Sequence, residues 1–409
     1  MTSITTGSSE PSQTVPSSVQ RIASIDILRA ITMVLMIFVN DFWSLKDIPD
    51  WLKHVSRGVD GIGLSDVVFP AFLFIVGLSL PYAVQARRLK GDSDRDLIRH
   101  ILFRTVALLI MGVFLVNGES INADVTGIPR WLWSPLSCLC FILIWNAYPP
   151  TMNKLLTNLL KVMAFLVLIT LAFIYRGGEN GDVRFETHWW GILGLIGWAY
   201  LFSALITVFA RNNFYLLLAG WVFFCSLSIV NKAGLIPEWE IFNYIPGPVL
   251  GGTLVGLTMG GVLAAFVFRY YVAKGDNATL TLIFIASSIV LIALSILTRP
   301  YWGLAKLGAT PAWLFLCSAF TLLAFTVIYW LADVWKRSGW FKLIKPAGTD
   351  TLLCYLIPTF IYAIYRITGL QFPDILLTGA LGLFKSLCFA LLCVLITRGL
   401  NAAGIRIKI

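Results

Sequence analysis

The side chains best suited to chemistry lie close together in one stretch of this 409-residue chain, residues 21–82. Asn40 ends an apolar segment, His54 follows in the loop 44–63, and Asp66 lies at the start of the next apolar segment. An imidazole can take a proton from an amine or a hydroxyl group, or attack a thioester itself. An Asn amide can stabilise an oxyanion. The Asp66 carboxylate can orient the imidazole, pair with a loop cation, or cap the helix near whose start it lies.

His54 differs from the two other histidines of the chain in its surroundings. Its loop is rich in Trp and Gly and is tethered between two polar span ends, so it can fold back over the mouth of a bundle. We expect His100, in a basic loop, to lie at the surface. We expect His188, which precedes two Trp residues, to lie in an interfacial aromatic belt. His54 is therefore the candidate base or nucleophile.

The composition requires a lipid environment. Hydrophobic residues make up 58 % of the chain and charged residues only 13 %, whereas a soluble domain carries roughly 25 % charged residues. A secreted protein, a cytosolic Rossmann-type enzyme, a coiled coil and a disordered protein are thereby excluded. The apolar segments are continuous runs rather than short alternating strands, which also excludes a β-barrel. We predict an all-α, polytopic membrane bundle of about 10–12 transmembrane helices.

Twelve apolar segments of the sequence are candidate spans. They cover approximately residues 26–43, 64–84, 101–117, 133–149, 159–175, 190–210, 214–231, 248–268, 278–298, 312–332, 350–367 and 376–397. Lys and Arg are about twice as frequent on one side of these spans as on the other, which predicts that both termini are cytoplasmic. The same rule accounts for the net charge of +10 without a nucleic-acid partner.

The chain divides into two parts. Residues 1–20 are rich in Ser, Thr and Pro, with neither a basic start nor an apolar core. We therefore expect a disordered cytoplasmic tail rather than a signal peptide. Residues 21–409 are predicted to form a single transmembrane domain. The seven cysteines fall within apolar runs and none pairs with His at metal-ligand spacing, so no metal site is expected.

The polar anchors of residues 21–82 recur in a specific order. They are Arg21, Ser24, Asp26, Arg29, Asn40, His54, Asp60, Gly61, residues 66–70, Phe72, Phe74, Ile75 and Gly77. This order resembles the start of the transferase region of the heparan-α-glucosaminide N-acetyltransferase family with its bacterial relatives. Weaker matches follow at 248–253, 299–313 and 346–350. Ala30 stands where the family has Gly, and residues 190–231 add a pair of spans that has no counterpart in the animal enzymes.

The resemblance implies that acetyl-CoA is held from the cytoplasm and that its acetyl group passes to an amino sugar or other carbohydrate on the far side. It implies that His54 is the active-site base or acyl carrier and that Asn40 assists. CoA carries phosphates that need cations; the candidate cofactor-binding residues are Arg29 with its expected ion-pair partner Asp26, and Arg87, Arg88, Arg104 and Arg269. Positive-inside topology alone would also require these arginines. Membrane lipid is a further partner, and a homodimer is left open.

Two other function classes stay open beside the transferase. One is a secondary transporter of a small solute, and the other is a membrane acyltransferase of the O-acetylating type. A transferase should gather His54, Asn40 and Asp66 around one cavity open to both faces, whereas a transporter should place charges at mid-depth. Lys385 is the only clear cation near the middle of a predicted span. The expected location is a bacterial inner membrane.

Overall fold

The computed structural model describes residues 22–409, so the predicted tail 1–20 lies outside the described residues. Helices dominate this part of the chain, and the only β pairing within it consists of isolated bridges such as that between Lys46 and Thr378. Eleven of the described helices are long and apolar enough to cross a membrane, and a twelfth is shorter. The predicted all-α, polytopic helical bundle is therefore confirmed.

We number the twelve long helices in chain order. They are α1 (Ala23–Asn40), α2 (Leu64–Leu89), α3 (Asp94–Asn117), α4 (Arg130–Trp145), α5 (Lys154–Ile174), α6 (Ile192–Ala210), α7 (Phe214–Lys232), α8 (Thr253–Ala273), α9 (Asn277–Trp302), α10 (Pro311–Tyr329), α11 (Thr351–Thr368) and α12 (Gly379–Ala402). A helix pairs most of its backbone groups within the segment, as lipid requires of a spanning segment. The short helix is α4, with 16 residues.

Short helical segments fill the connections between the long helices. Around the candidate site they are the 3₁₀ turns Asp41–Ser44, Asp50–Leu52 and Asp374–Leu377. The others are the helices Ala123–Thr126, Glu240–Asn243, Gly247–Leu250 and Lys345–Thr349, the π turn Trp330–Val334 and the 3₁₀ turn Ser338–Phe341.

The centre of the bundle is a close crossing of α2 and α8. A Cβ atom added to Gly77 would lie 1.8 Å from the carbonyl oxygen of Thr258, and one added to Gly261 would lie 1.9 Å from that of Phe74. Only glycine permits this approach of two backbones, which is how small residues are used between membrane helices. The crossing fixes α2, the helix that carries Asp66, against the bundle core.

The helices α6 and α7 correspond to the predicted extra spans 190–231. They differ in how deeply they are buried in the bundle. Helix α6 packs closely on α3, because a Cβ atom on Gly112 would lie 2.5 Å from the backbone nitrogen of Gly194. More than half of its apolar window is buried, whereas less than a third of the apolar window is buried in each of α5, α7 and α9. These three helices therefore present apolar side chains to lipid, and α6 belongs to the interior.

The bundle has two ends with different polar groups. We call the "loop end" the one that carries the loop 45–63 and the loop 303–310, and the "basic end" the one that carries Arg29 and Arg87. The two loops are joined, because Gly61 N–H donates to the Leu304 carbonyl at 3.0 Å. On its other side, the loop 45–63 is tied to α12 through Gly379 N–H, which donates to the Lys46 carbonyl at 3.0 Å.

Candidate active site

His54 and Asp66 are in direct contact at the loop end. Nδ1 of His54 lies 2.7 Å from Oδ1 of Asp66. The carboxylate is buried, whereas the imidazole is half exposed. A neutral imidazole that donates Nδ1–H to a carboxylate keeps Nε2 as an acceptor. None of the residues described bonds to Nε2, so this nitrogen is available to a substrate.

Asp66 also organises the loop that carries His54. Its second oxygen, Oδ2, accepts hydrogen bonds from the backbone N–H groups of Val55 at 3.0 Å and Gly63 at 3.1 Å. Gly63 directly precedes α2, so Asp66 caps the helix and orients the imidazole at once. The two roles of helix cap and partner of the imidazole, which the sequence leaves open for Asp66, are therefore compatible with each other.

The two ends of the loop segment 53–63 approach each other closely, and this approach depends on glycine. A Cβ atom added to Gly63 would lie 1.9 Å from the carbonyl oxygen of Lys53. Ser65 reinforces this approach, because its hydroxyl donates to the Leu52 carbonyl at 2.6 Å. This close approach holds the residue before His54 against the start of α2, and it thereby places the imidazole beside Asp66.

A third residue, Lys306, joins the pair from the loop 303–310. Its Nζ lies 3.3 Å from Nδ1 of His54 and 4.0 Å from Oδ1 of Asp66. The ammonium also donates to the Ser65 carbonyl at 3.4 Å. Burial lowers the pKa of Lys306, and the Asp66 carboxylate partly opposes that effect. The loop cation that the sequence left unnamed as a partner of Asp66 is therefore Lys306.

Asn40 is placed apart from this cluster. It is the exposed last residue of α1, and no hydrogen bond joins it to His54 or Asp66 in the described chain. Its neighbour Asp41 is buried and accepts hydrogen bonds from Lys385 at 2.6 Å, Ser386 at 2.6 Å and Tyr362 at 2.9 Å. The expected gathering of His54, Asn40 and Asp66 is thus only half realised.

Lys385 does not behave as an isolated cation at mid-depth. It lies six residues into α12, a rise of about 9 Å from the helix start, at the loop end. Its ammonium pairs with the buried Asp41 and also donates to the Ser44 hydroxyl at 3.0 Å. The expectation of a mid-span charge is corrected, because the pair belongs to the region where α1 ends and α12 begins.

A cavity of about 880 Å³ lies at the basic end between α1, α2, α3, α6 and α11. Its lining residues that are charged or carry an imidazole are Asp26, Arg29, Arg87, His100, Arg104, Asp350 and Lys408. Arg88 and Arg269 are not among the lining residues. His100, expected at the surface, lines the cavity because α3 begins before it and turns it inward. Four of the six predicted cofactor-binding residues therefore share one cavity.

The arginines of the cavity differ in the hydrogen-bond partners of their guanidinium groups. Arg29 pairs with Asp26 at 3.2 Å, as the sequence predicts, and donates to the Gly348 carbonyl and the Ser79 hydroxyl. Arg104 lies with its guanidinium 4.8 Å over the Tyr200 ring. Within residues 22–409, Nε of Arg104 is buried without a hydrogen-bond partner. Arg104 lines the cavity, and a guanidinium with an unused donor suits an anionic group of a ligand.

The two predicted arginines outside the lining have other contacts. Arg88 donates to Asp94 at 2.9 Å and to the Val208 carbonyl at 3.0 Å. Arg269 lies 5.8 Å over the ring of Tyr82, and the Tyr82 side chain itself lines the cavity. Arg269 is therefore separated from the cavity by Tyr82. Arg88 connects α2 to α3 and α6.

The cavity has an apolar inner part and does not include the His54 cluster. Met36 and Phe72 line it. Met36 is four residues before Asn40, and Phe72 is six residues after Asp66, which correspond to rises of about 6 Å and 9 Å along their helices. None of His54, Asn40 and Asp66 lines this cavity. The expected single cavity around all three residues is not what the described structure contains.

The bundle with its His–Asp pair at one end and a cationic cavity at the other defines a polytopic membrane protein with a candidate acid–base site. The chain belongs to the family described as "Domain of unknown function (DUF5009)", which matches residues 21–251. That match begins before α1 and covers both His54 and the cavity arginines of α2 and α3.

Two curated relatives are similar to part of the chain. Heparan-alpha-glucosaminide N-acetyltransferase of Mus musculus is 33 % identical over 109 residues, which are 26 % of this chain and 15 % of the mouse protein. The Homo sapiens protein of the same name is 33 % identical over 101 residues, 24 % of this chain and 14 % of the human protein. The matched part therefore spans less than a sixth of either relative. The resemblance to this family is confirmed.

Proposed function

We propose that the chain is a membrane acetyltransferase that moves an acetyl group from acetyl-CoA at the basic end to an amino sugar or other carbohydrate at the loop end. The observation that carries this proposal is the His54–Asp66 contact, which leaves Nε2 of the imidazole available. A carboxylate that fixes the imidazole and leaves the far nitrogen open is the arrangement that base and nucleophile catalysis require.

As a base, His54 acts on the acceptor. A bond forms between the acceptor nitrogen or oxygen and the acetyl carbonyl carbon, while the bond from that carbon to sulfur breaks. The acceptor proton passes to Nε2 of His54, and CoA leaves as a thiolate that takes up this proton. Asn40, exposed at the same end, would polarise the carbonyl or stabilise its oxyanion.

As an acyl carrier, His54 acts on the donor. Nε2 attacks the thioester carbon, the bond from that carbon to sulfur breaks, and CoA leaves as a thiolate. The acetyl group stays on Nε2 until the acceptor nitrogen or oxygen attacks its carbonyl carbon. The bond to Nε2 then breaks, and the acceptor proton passes to Nε2, from which the CoA thiolate takes it up. The two routes share His54, Asp66 and Lys306. They differ in whether acetylated protein accumulates when no acceptor is present.

Acetyl-CoA fits the cavity at the basic end by its chemistry. Its phosphates match the unused Nε of Arg104 together with Arg87 and Lys408, and its apolar arm matches the inner part near Met36 and Phe72. Charge-assisted hydrogen bonds between guanidinium and phosphate are among the strongest in proteins. The proposal requires that the acetyl end reach beyond Phe72, toward His54, for transfer to occur.

The distribution of cations supports one orientation of the bundle in the membrane. Lys and Arg are in excess at the basic end, which favours a cytoplasmic location for that end and for both termini. Acetyl-CoA would then bind from the cytoplasm, and the acceptor would approach His54 from the opposite side. This arrangement corresponds to a bacterial inner membrane protein.

The test is sided transfer in sealed proteoliposomes. Labelled acetyl-CoA is supplied at the basic end, and candidate amino sugars are supplied at the loop end. Labelled sugar at the loop end is the expected product, and labelled protein without acceptor would identify the acyl-carrier route. Absence of labelled sugar across amino and neutral sugars, with intact acetyl-CoA binding, would contradict the proposal. Movement of unmodified sugar across the bilayer would favour the transporter class.

A further inference from the structure

A second groove lies at the basic end, outside the cavity already described. It has a volume of about 540 Å³ and is lined by Leu331, Trp335, Arg337 and Trp340. The π turn Trp330–Val334 ends the span of α10, and the 3₁₀ turn Ser338–Phe341 follows it. We call this site the Trp335–Trp340 groove.

Four exposed cations lie in residues 331–345, the segment that contains the groove. They are Lys336, Arg337, Lys342 and Lys345, and none of them forms a salt bridge with a residue in the part of the chain that the structure describes. The single acid of residues 331–345 is Asp333. Its carboxylate is used elsewhere, because it accepts hydrogen bonds from the backbone N–H groups of Ala23 at 3.3 Å and Ser24 at 3.0 Å. The groove is therefore left strongly positive.

The groove also presents large aromatic surfaces at the level where a span ends. The side chains of Trp335 and Trp340 are 60 % and 66 % exposed, and Leu343 is 50 % exposed. The Arg337 guanidinium lies 5.0 Å over the Trp340 ring. Trp is enriched where membrane and water meet, because its ring suits the headgroup level. A soluble anion would leave these aromatic and aliphatic surfaces in water, whereas a phospholipid would cover them.

We propose that the Trp335–Trp340 groove is a binding site for the headgroup of an anionic phospholipid. Arg337 contacts the lipid phosphate, Lys336 and Lys342 supply further positive charge, and the acyl chains cover Trp335 and Leu343. Each basic residue near a membrane surface increases the affinity for anionic lipid roughly five-fold. This site is separate from the proposed transfer reaction and does not depend on it.

Native mass spectrometry of the full chain tests the proposal. The protein is released from micelles that contain equal amounts of phosphatidylglycerol and phosphatidylcholine. We expect retention of phosphatidylglycerol over phosphatidylcholine. The triple variant Lys336→Gln, Arg337→Gln, Lys342→Gln should reduce that preference by roughly ten-fold or more. A matched triple variant, Lys90→Gln, Lys154→Gln, Lys274→Gln, removes the same charge from exposed positions at the same end and should keep the preference.

Two further measurements separate the contacts. Trp340→Leu should weaken retention of both lipids, because it removes an aromatic surface and no charge. An excess of inorganic phosphate should leave phosphatidylglycerol bound. Equal loss of preference in the two triple variants would show that only the general charge of this end matters, and it would overturn the proposal. Displacement by inorganic phosphate would overturn it too, because the groove would then be a site for a free anion.

Discussion

Nζ of Lys306 lies 3.3 Å from Nδ1 of His54, although 252 positions of the chain separate the two residues. Both side chains also face the carboxylate of Asp66. The candidate site is therefore assembled from the loop 45–63, the start of α2 and the loop 303–310. Its geometry depends on how firmly the two loops are held together at the loop end.

Asp66→Asn tests the orienting carboxylate. The amide keeps the shape and the capping oxygen but loses the charge, so the imidazole is no longer fixed by an ionic partner. We expect the transfer rate to fall by roughly 10²-fold or more, with little change in acetyl-CoA affinity. Asp50→Asn is the control, because Asp50 lies in the same loop and its side chain bonds only to Lys53. Equal rates in both variants would remove Asp66 from the mechanism.

Lys306→Met tests the cation beside the imidazole. Methionine keeps the length of the side chain but removes the ammonium that faces His54 and Asp66. A hydrogen bond to a charged group contributes about 1.5–3 kcal/mol, so we expect the transfer rate to fall by roughly 10-fold or more, with little change in acetyl-CoA affinity. Lys53→Met serves as the control, since Lys53 is next to His54 in sequence but pairs with the exposed Asp50. A rate in Lys306→Met close to that of Lys53→Met would remove the Lys306 ammonium from the mechanism.

The stability of the contact between the loop 45–63 and the loop 303–310, which we call the joint, should depend on pH because of Asp60. The Leu304 N–H bonds to its carboxylate and lowers the pKa of Asp60, and Arg299 lowers it further. A lowered folded-state pKa means that the joint is stabilised above the ordinary Asp pKa of about 3.9. That stabilisation is lost as the pH falls through the lowered value.

Hydrogen exchange at the Gly61 and Leu304 amides measures this joint. We expect both amides to be protected at pH 5 to 7. After correction for the intrinsic exchange rate at each pH, exchange should become faster once Asp60 is protonated. Asp60→Asn should exchange faster already at neutral pH. Unchanged protection in that variant would mean that the backbone bond between Gly61 and Leu304 holds the loops without Asp60.

Arg104→Gln tests the proposed phosphate contact in the cavity. A hydrogen bond to a charged group contributes about 1.5–3 kcal/mol, so we expect acetyl-CoA to bind roughly 10- to 100-fold more weakly. The rate at saturating acetyl-CoA should change little. Arg88→Gln is the comparison, because its guanidinium is engaged by Asp94 and the Val208 carbonyl. Loss of affinity in Arg88→Gln alone would place the phosphates outside this cavity.

The helices could be predicted from the sequence because lipid imposes a simple rule. A span must be continuous, apolar and about 20 residues long, and each of the twelve predicted spans overlaps a helix of the structure. The segment 214–231, for example, corresponds to Phe214–Lys232. Helix ends shift by several residues where polar caps extend a span, as at Asp94, which begins α3 seven residues before the predicted start.

The site was only partly predictable for a physical reason. His54 and Asp66 are 12 residues apart, so their meeting is a local property of one loop and one helix start. Lys306 and Lys385 reach their partners across 252 and 344 positions, and no local spacing encodes such contacts. His100 lines the cavity because of the direction in which α3 faces, which sequence charge alone does not reveal.

The most direct measurement is acetyl transfer by His54→Ala in proteoliposomes, with acetyl-CoA affinity determined on the same preparation. His188→Ala is the matched control, because His188 is a second histidine in a predicted outer loop and lies outside the site. We expect transfer to fall by roughly 10²- to 10⁴-fold in His54→Ala, at unchanged acetyl-CoA affinity, and to stay near the wild-type rate in His188→Ala. A near-normal rate in His54→Ala would contradict the proposed role of His54.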